Sequence, residues 1–196
     1  MKALAWVRYL NEQRDRYGKT LFTVTEMANV AGASSTVMNV ELGRLVKQGV
    51  VRRWATGLYG LPTGVTPASL ATAIDSTAYV TAAWALAQYG YITQQPREID
   101  CFTRRRHNRS RRRASALGAF VFVTVSPRVY AAPAEGGMAT PEQAFCDLFY
   151  VMRRRGLDPQ TLYTFRKLDQ LSFEEGLFAR YPQTVQRAIA RMVPRS

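Results

Sequence analysis

The sequence holds little of what catalysis usually needs. Among 196 residues there is one histidine, His107, and there are two cysteines, Cys101 and Cys146. A lone imidazole set inside a run of arginines is a poor proton shuttle, because neighbouring like charge disfavours its protonated form. Neither thiol has a second thiol or a histidine at metal-ligand spacing, so both read as reduced and packed. No Walker loop, no GxGxxG and no paired carboxylates on an apolar background occur. Asp100, Glu135, Glu142 and Asp147 lack nuclease spacing, and Asp169, Glu174 and Glu175 read as a helix start with a surface patch. No cofactor, no metal ion and no enzymatic activity are expected. Long apolar runs are missing too. The longest, "YVTAAWALAQYGYI", contains Gln88 and falls short of the ~18 residues of a membrane span, and the N-terminal "ALAWV" is too short for a signal peptide. A soluble, cytoplasmic protein is the expectation.

Acidic residues are also scarce, 14 against 27 lysines and arginines, which leaves a formal net charge of +13. Such an excess points to a polyanionic partner, since lysine and arginine displace counterions from phosphates. Double-stranded DNA is the first candidate. A hydrophobic content of 47% provides for a real core. The charge is unevenly spread, and its densest stretch is "RRRHNRSRRR" at positions 104 to 113.

In the first 62 residues, Leu4, Val7 and Leu10 recur at helical spacing and Gly18 supplies a stop. A short helix follows, capped by Thr25 and carrying Met27, Ala28 and Val30, with a turn through Gly32. Ser34 or Ser35 caps the next helix. There Met38, Leu42 and Leu45 form the inward stripe, which turns Thr36, Asn39, Val40, Gly43, Arg44 and Lys47 outward. Those outward residues are small, polar or basic, as a helix lying in a major groove requires. Asn39 suits a bidentate contact to adenine, and Arg44 a contact to guanine or phosphate. After Gly49, "VVRRWATGLYGLP" reads as a β-hairpin with Arg52 and Arg53 on its first strand. Helix, helix, turn, helix and hairpin make a winged helix-turn-helix, with Ser34, Ser35, Thr36, Asn39, Val40, Arg44, Lys47, Arg52 and Arg53 as its DNA-contacting set. A helical domain that uses the same periodicity for protein contacts is the other reading.

Residues 63 to 196 read as an α/β domain. A helix begins near Pro67, an Ala-rich helix ends near Gly90, and Ile99 to Thr103 and "AFVFVTV" are strands. A turn at Gly136 and Gly137 precedes a helix opening with Pro141 and Glu142, and further helices end in "TVQRAIARMV". The expected fold class is α+β: a winged unit over 1–62, then a small sheet wrapped by helices over 63–196.

Three features in this order carry a resemblance: the unit ending in "GLYGLP", then "YVTAAWALAQYGYITQQP" leading to a strand and a basic run, then "TPEQAFCDLFYVMRRRGLD". Together they span roughly residues 20 to 160. The chain resembles the AbiEi family of antitoxins and transcriptional regulators from bacterial abortive-infection toxin–antitoxin systems. The resemblance implies an N-terminal domain that binds DNA and represses its own operon, and a C-terminal domain that counters a nucleotidyltransferase toxin. A regulator without a toxin, or an antitoxin acting through protein or RNA contact, are the alternatives. A homodimer on DNA suits a winged regulator, although nothing in the sequence marks its interface.

The arginine run, Arg104, Arg105, Arg106, Arg109, Arg111, Arg112 and Arg113, lies between two expected strands. It reads as a flexible, exposed loop or the frayed ends of a hairpin, because that many unpaired guanidinium groups cannot be buried. DNA backbone, RNA or an acidic protein surface are its candidate partners, and a solvated loop is the plain reading.

Overall fold

A computed structural model describes residues 2–107, 111–133 and 136–193. The chain begins with α1 (Ala3–Tyr17), β1 (Leu21–Thr23), α2 (Val24–Ala31), α3 (Ser35–Lys47), β2 (Arg52–Ala55) and β3 (Leu58–Gly60). It continues with α4 (Pro67–Ile74), β4 (Tyr79–Val80), α5 (Ala82–Gln88), β5 (Glu98–Thr103), β6 (Arg112–Ser115) and β7 (Gly118–Thr124). Helix α6 (Pro141–Arg154) leads to three short elements, α7 (Pro159–Leu162), a 3-10 turn (Leu168–Gln170) and α8 (Glu175–Phe178), and then to α9 (Gln183–Ala190). The fold is mixed α+β.

Local chemistry sets most of the boundaries. Gly18 takes a left-handed φ of 64° and closes α1. The cap of α2 is Thr23 rather than the expected Thr25: its hydroxyl accepts from the Glu26 amide while the Glu26 carboxylate accepts from the Thr23 amide. This reciprocal box consumes two orphan donors, which a cap two residues later would leave open. Thr66 and Pro67 open α4, and Thr140 and Pro141 open α6, in the same manner. The inward stripe of α1 is Trp6 and Leu10, not Leu4, which is 74% exposed. The larger indole sets the rotation of the helix and carries Leu4 outward. Val30 of α2 is likewise exposed.

The seven strands form one sheet, in the order β1-β3-β2-β6-β7-β5-β4. It is larger than the expected small sheet and runs across Pro62. Strand β2 pairs with β6 at Ala55 and Ser115, and the Ala116 amide donates to the Trp54 carbonyl at 2.8 Å. Short β1 was not legible, since three residues carry no periodicity. It pairs antiparallel with β3, placing Leu21 opposite Gly60. Gly60 is required there, because a Cβ on it would overlap the Thr20 carbonyl oxygen.

Three apolar clusters fill the molecule. One lies under α1, α2 and α3 and contains Trp6, Leu10, Met27, Met38, Leu42 and Leu45. A second joins Leu21, Trp54, Ala55 and Leu58 to Leu70, Ile99, Phe120 and Phe122, so residues on both sides of Pro62 share it. The third, on the opposite face of β5 and β7, packs Phe102 against α5, α6 and α9. The arginine run is not the tip of a hairpin between its flanking strands. Strands β5 and β7 pair in parallel, a geometry that no tight turn can join. The true hairpin is β6–β7, and Arg112 and Arg113 belong to its first strand.

Candidate nucleic-acid interface

The exposed face of α3 follows directly from its stripe. Gly32, at a φ of 61°, ends α2 and turns the chain. The Ser34 hydroxyl then accepts from the Val37 amide at 3.3 Å and starts α3, with Ser35 as its first residue. Burial of Met38, Leu42 and Leu45 leaves Ser34, Ser35, Thr36, Asn39, Val40, Gly43, Arg44 and Lys47 exposed together. Val40 is 75% exposed. A methyl-bearing side chain held in water at that level suits apolar contact with a thymine methyl. An added Cβ at Gly43 would meet nothing within 4 Å. Packing inside the protein therefore does not demand glycine at that point, whereas a surface closely approached from outside does.

Arg44 is less available than its position in the stripe suggests. Its Nε and Nη2 donate to the two carboxylate oxygens of Glu41 at 3.0 and 2.6 Å, and its Nη1 donates to Gln48. The side-chain hydrogen bond from Arg44 holds the Glu41 carboxyl below its ordinary range. To reach a base, the guanidinium must leave a bidentate partner on its own helix. Glu41 escaped the reading of the sequence, although its i,i+3 spacing from Arg44 was the signal.

The β2–β3 hairpin presents Arg52 and Arg53, both exposed. Arg52 stacks over Trp54, 4.6 Å from the ring centroid, and its Nη2 reaches the Ala116 carbonyl at 3.4 Å. It therefore braces the junction between the hairpin and the β6–β7 turn, while Arg53 projects from β2 without such a support.

The first part of the arginine run is anchored rather than flexible. His107 Nε2 lies 2.9 Å from Asp75 Oδ2, with the imidazole 11% and the carboxylate 0% exposed. The ring also stacks on Phe122 at 4.8 Å. Asp75 accepts from Thr77 and Thr103 as well, the Arg105 amide donates to Thr103 Oγ1, and Thr124 donates to the Arg105 carbonyl. Burial alone would raise the Asp75 carboxyl; the bonds from Thr103, Thr77 and His107 outweigh it and hold it low. Arg104, Arg105 and Arg106 are thus exposed on a fixed stretch, with Arg104 over the ring of Tyr130. Arg111, Arg112 and Arg113 are exposed at the start of β6, where Arg112 pairs with Glu98 at 2.6 Å. Arg109 and Glu135 lie outside the described residues.

Asp147, in the middle of α6, is fully buried and accepts from the hydroxyls of Thr81 and Tyr181, both at 2.7 Å, and of Tyr79 at 3.2 Å. Burial pushes its carboxyl up to about 7, against the pull of those three donors. Its partners are all hydroxyls closed in by core residues, an arrangement that organises a packed interior. Both cysteines are buried and unpaired, and burial raises both thiols well above their ordinary value. Among the described residues no group of three or more His, Cys, Asp or Glu side chains is placed to hold a metal ion. Among the same residues, no helix is long and apolar enough to cross a membrane.

No family model matches the chain, and no curated protein matches its sequence.

Proposed function

We propose that this chain is a sequence-specific DNA-binding regulator whose first 62 residues work as a winged helix-turn-helix. In this reading α3 lies in the major groove, Asn39 and Val40 read base edges, Lys47 and Arg53 meet phosphates, and the β2–β3 hairpin flanks the groove as the wing. The observation that carries it is the α3 face itself, where a fully buried apolar stripe fixes a helix whose other side is small, polar or basic and in water. The element order, with β1 joined to the edge of the hairpin, supports it, as does the charge of +13.

The test is a titration of the full chain against labelled DNA from its own upstream region and against a scrambled duplex, at several salt concentrations. A preference of ~10³ or more for the native region is expected. Equal binding of both duplexes, with a steep loss on adding salt, would sink the proposal. Autorepression of a toxin–antitoxin operon and neutralisation of a nucleotidyltransferase toxin rest on the AbiEi resemblance alone. Co-purification of the chain with the product of the neighbouring gene tests the second of these.

A further inference from the structure

Five arginines far apart in sequence meet at one place in the second half. Two clefts, of about 340 and 200 Å³, lie beside the C-terminal end of α6, where it leaves part of the β5-β7-β6 face uncovered. They adjoin, since Val151 and Arg155 line both. Arg97 and Arg112 line the larger, and Arg111 and Arg154 the smaller. Among the described residues, Arg97, Arg111, Arg154 and Arg155 form no salt bridge. Two carboxylates share the place: Glu98, which is paired with Arg112, and Asp100, which faces Arg155. Charges near a helix end often answer the helix dipole. That accounts for Arg154 but not for Arg97 and Arg111, which come from other elements. Like charges converge in this way at little cost only where an anion joins them.

We propose that this double cleft binds the phosphates of a nucleotide unit, either free or within a single strand. The inference stands apart from the α3 reading. Its rims supply guanidinium forks suited to phosphate oxygens. Half-buried Tyr163, in the larger cleft, offers a ring on which a base can stack. Asp100 supplies an acceptor for an exocyclic amino group. The clefts lie between a helix and a sheet, a space that receives one strand and excludes a duplex.

The test uses the full chain with three probes followed by fluorescence anisotropy at several salt concentrations: a 5′-phosphorylated, fluorescently labelled single-stranded hexanucleotide, a nucleoside diphosphate as its competitor, and a labelled blunt duplex. The wild-type chain should bind the single strand. The double variant R154A/R155A, which alters only exposed side chains, should weaken that binding roughly tenfold or more and flatten its salt dependence by about 1.4 in log–log slope. It should leave binding of the duplex through α3 little changed. Tyr163→Leu should weaken binding while keeping the slope, which separates stacking from charge. Competition by the diphosphate assigns the site to free nucleotides, and its absence assigns it to a strand. If the wild-type chain binds neither, or if R154A/R155A binds the single strand as the wild type does, the proposal is overturned. R154K/R155K, which keeps the charge and should retain most of the affinity, guards against a general loss of structure.

Discussion

The α3 face and the α6 cleft are both basic, yet they differ in how their charge is held. On α3 the cations are few, one of them is tied to Glu41, and the face is mostly small or apolar. At the cleft, guanidinium groups from the segment before β5, from the start of β6 and from the end of α6 crowd around two carboxylates. A sparse face can discriminate, because each contact has a shape and a wrong base leaves a polar group unpaired. A dense one cannot, because charge attracts every phosphate alike. The +13 of the whole chain is therefore a poor guide to where selectivity sits.

The largest expected effect breaks the connection between the two surfaces. Trp54→Ala removes the indole that anchors the shared core and donates to the Leu61 carbonyl at 3.0 Å. It should cost about 3 to 5 kcal/mol, and thermal unfolding should lower a single transition rather than split it. Two separate transitions would show that the surfaces belong to independent bodies. Next comes Asn39→Ala, which should lose ~1 to 3 kcal/mol on the cognate duplex and relax base preference there, with binding of single strands unaffected. Unchanged preference would remove α3 from the reading role.

A smaller effect concerns pH and the packing beneath both surfaces. The Asp147 carboxyl is raised in the folded state to about 7, so the fold binds a proton that the unfolded chain has already released. Its contribution is fully present below the ordinary carboxylate range and is lost as pH rises through about 7. Asp147→Asn should flatten the stability curve across that window by on the order of 1 kcal/mol, read by denaturant melts from pH 4 to 8. A curve of unchanged slope would count against a proton held there. The smallest effect sharpens the contrast of charge. Glu41→Gln frees Arg44 and removes a negative charge from the reading face, and it should tighten duplex binding by up to ~1 kcal/mol for every sequence alike. Tightening confined to the cognate duplex would instead show Arg44 reading a base.

Much of the first 62 residues was legible because helical stripes and caps are local. Met38, Leu42 and Leu45, the Ser34 cap and the Gly18 and Gly32 stops are all set within a few residues. What escaped depended on contacts distant in the chain. Strand β1 exists only through its pairing with β3, and Gly60 in "GLYGLP" is needed for the carbonyl of Thr20. His107 read as an isolated imidazole in a hostile charge environment, and its partner Asp75 lies 32 positions earlier. The segments "YVTAAW" and "TPEQAFCDLFY" were noticed as separate signals. They meet at one buried point, where Tyr79 and Thr81 of the first donate to Asp147 of the second. The convergence of Arg97, Arg111, Arg154 and Arg155 was equally invisible, since no spacing announces a cleft assembled from three elements.

Strand β7 has a consequence for how the molecule is made. It is the last of the seven strands to leave the ribosome, yet it sits inside the sheet, with β6 on one side and β5 on the other. Until it emerges, β1, β3 and β2 can form one ribbon and β4 and β5 another, with nothing between them. The nascent chain thus carries two half-sheets with open edges through most of its synthesis, and seven residues, Gly118–Thr124, close both at once. A pause or a frameshift shortly before that strand would release a product whose fault is two bare edges, and aggregation is its natural fate.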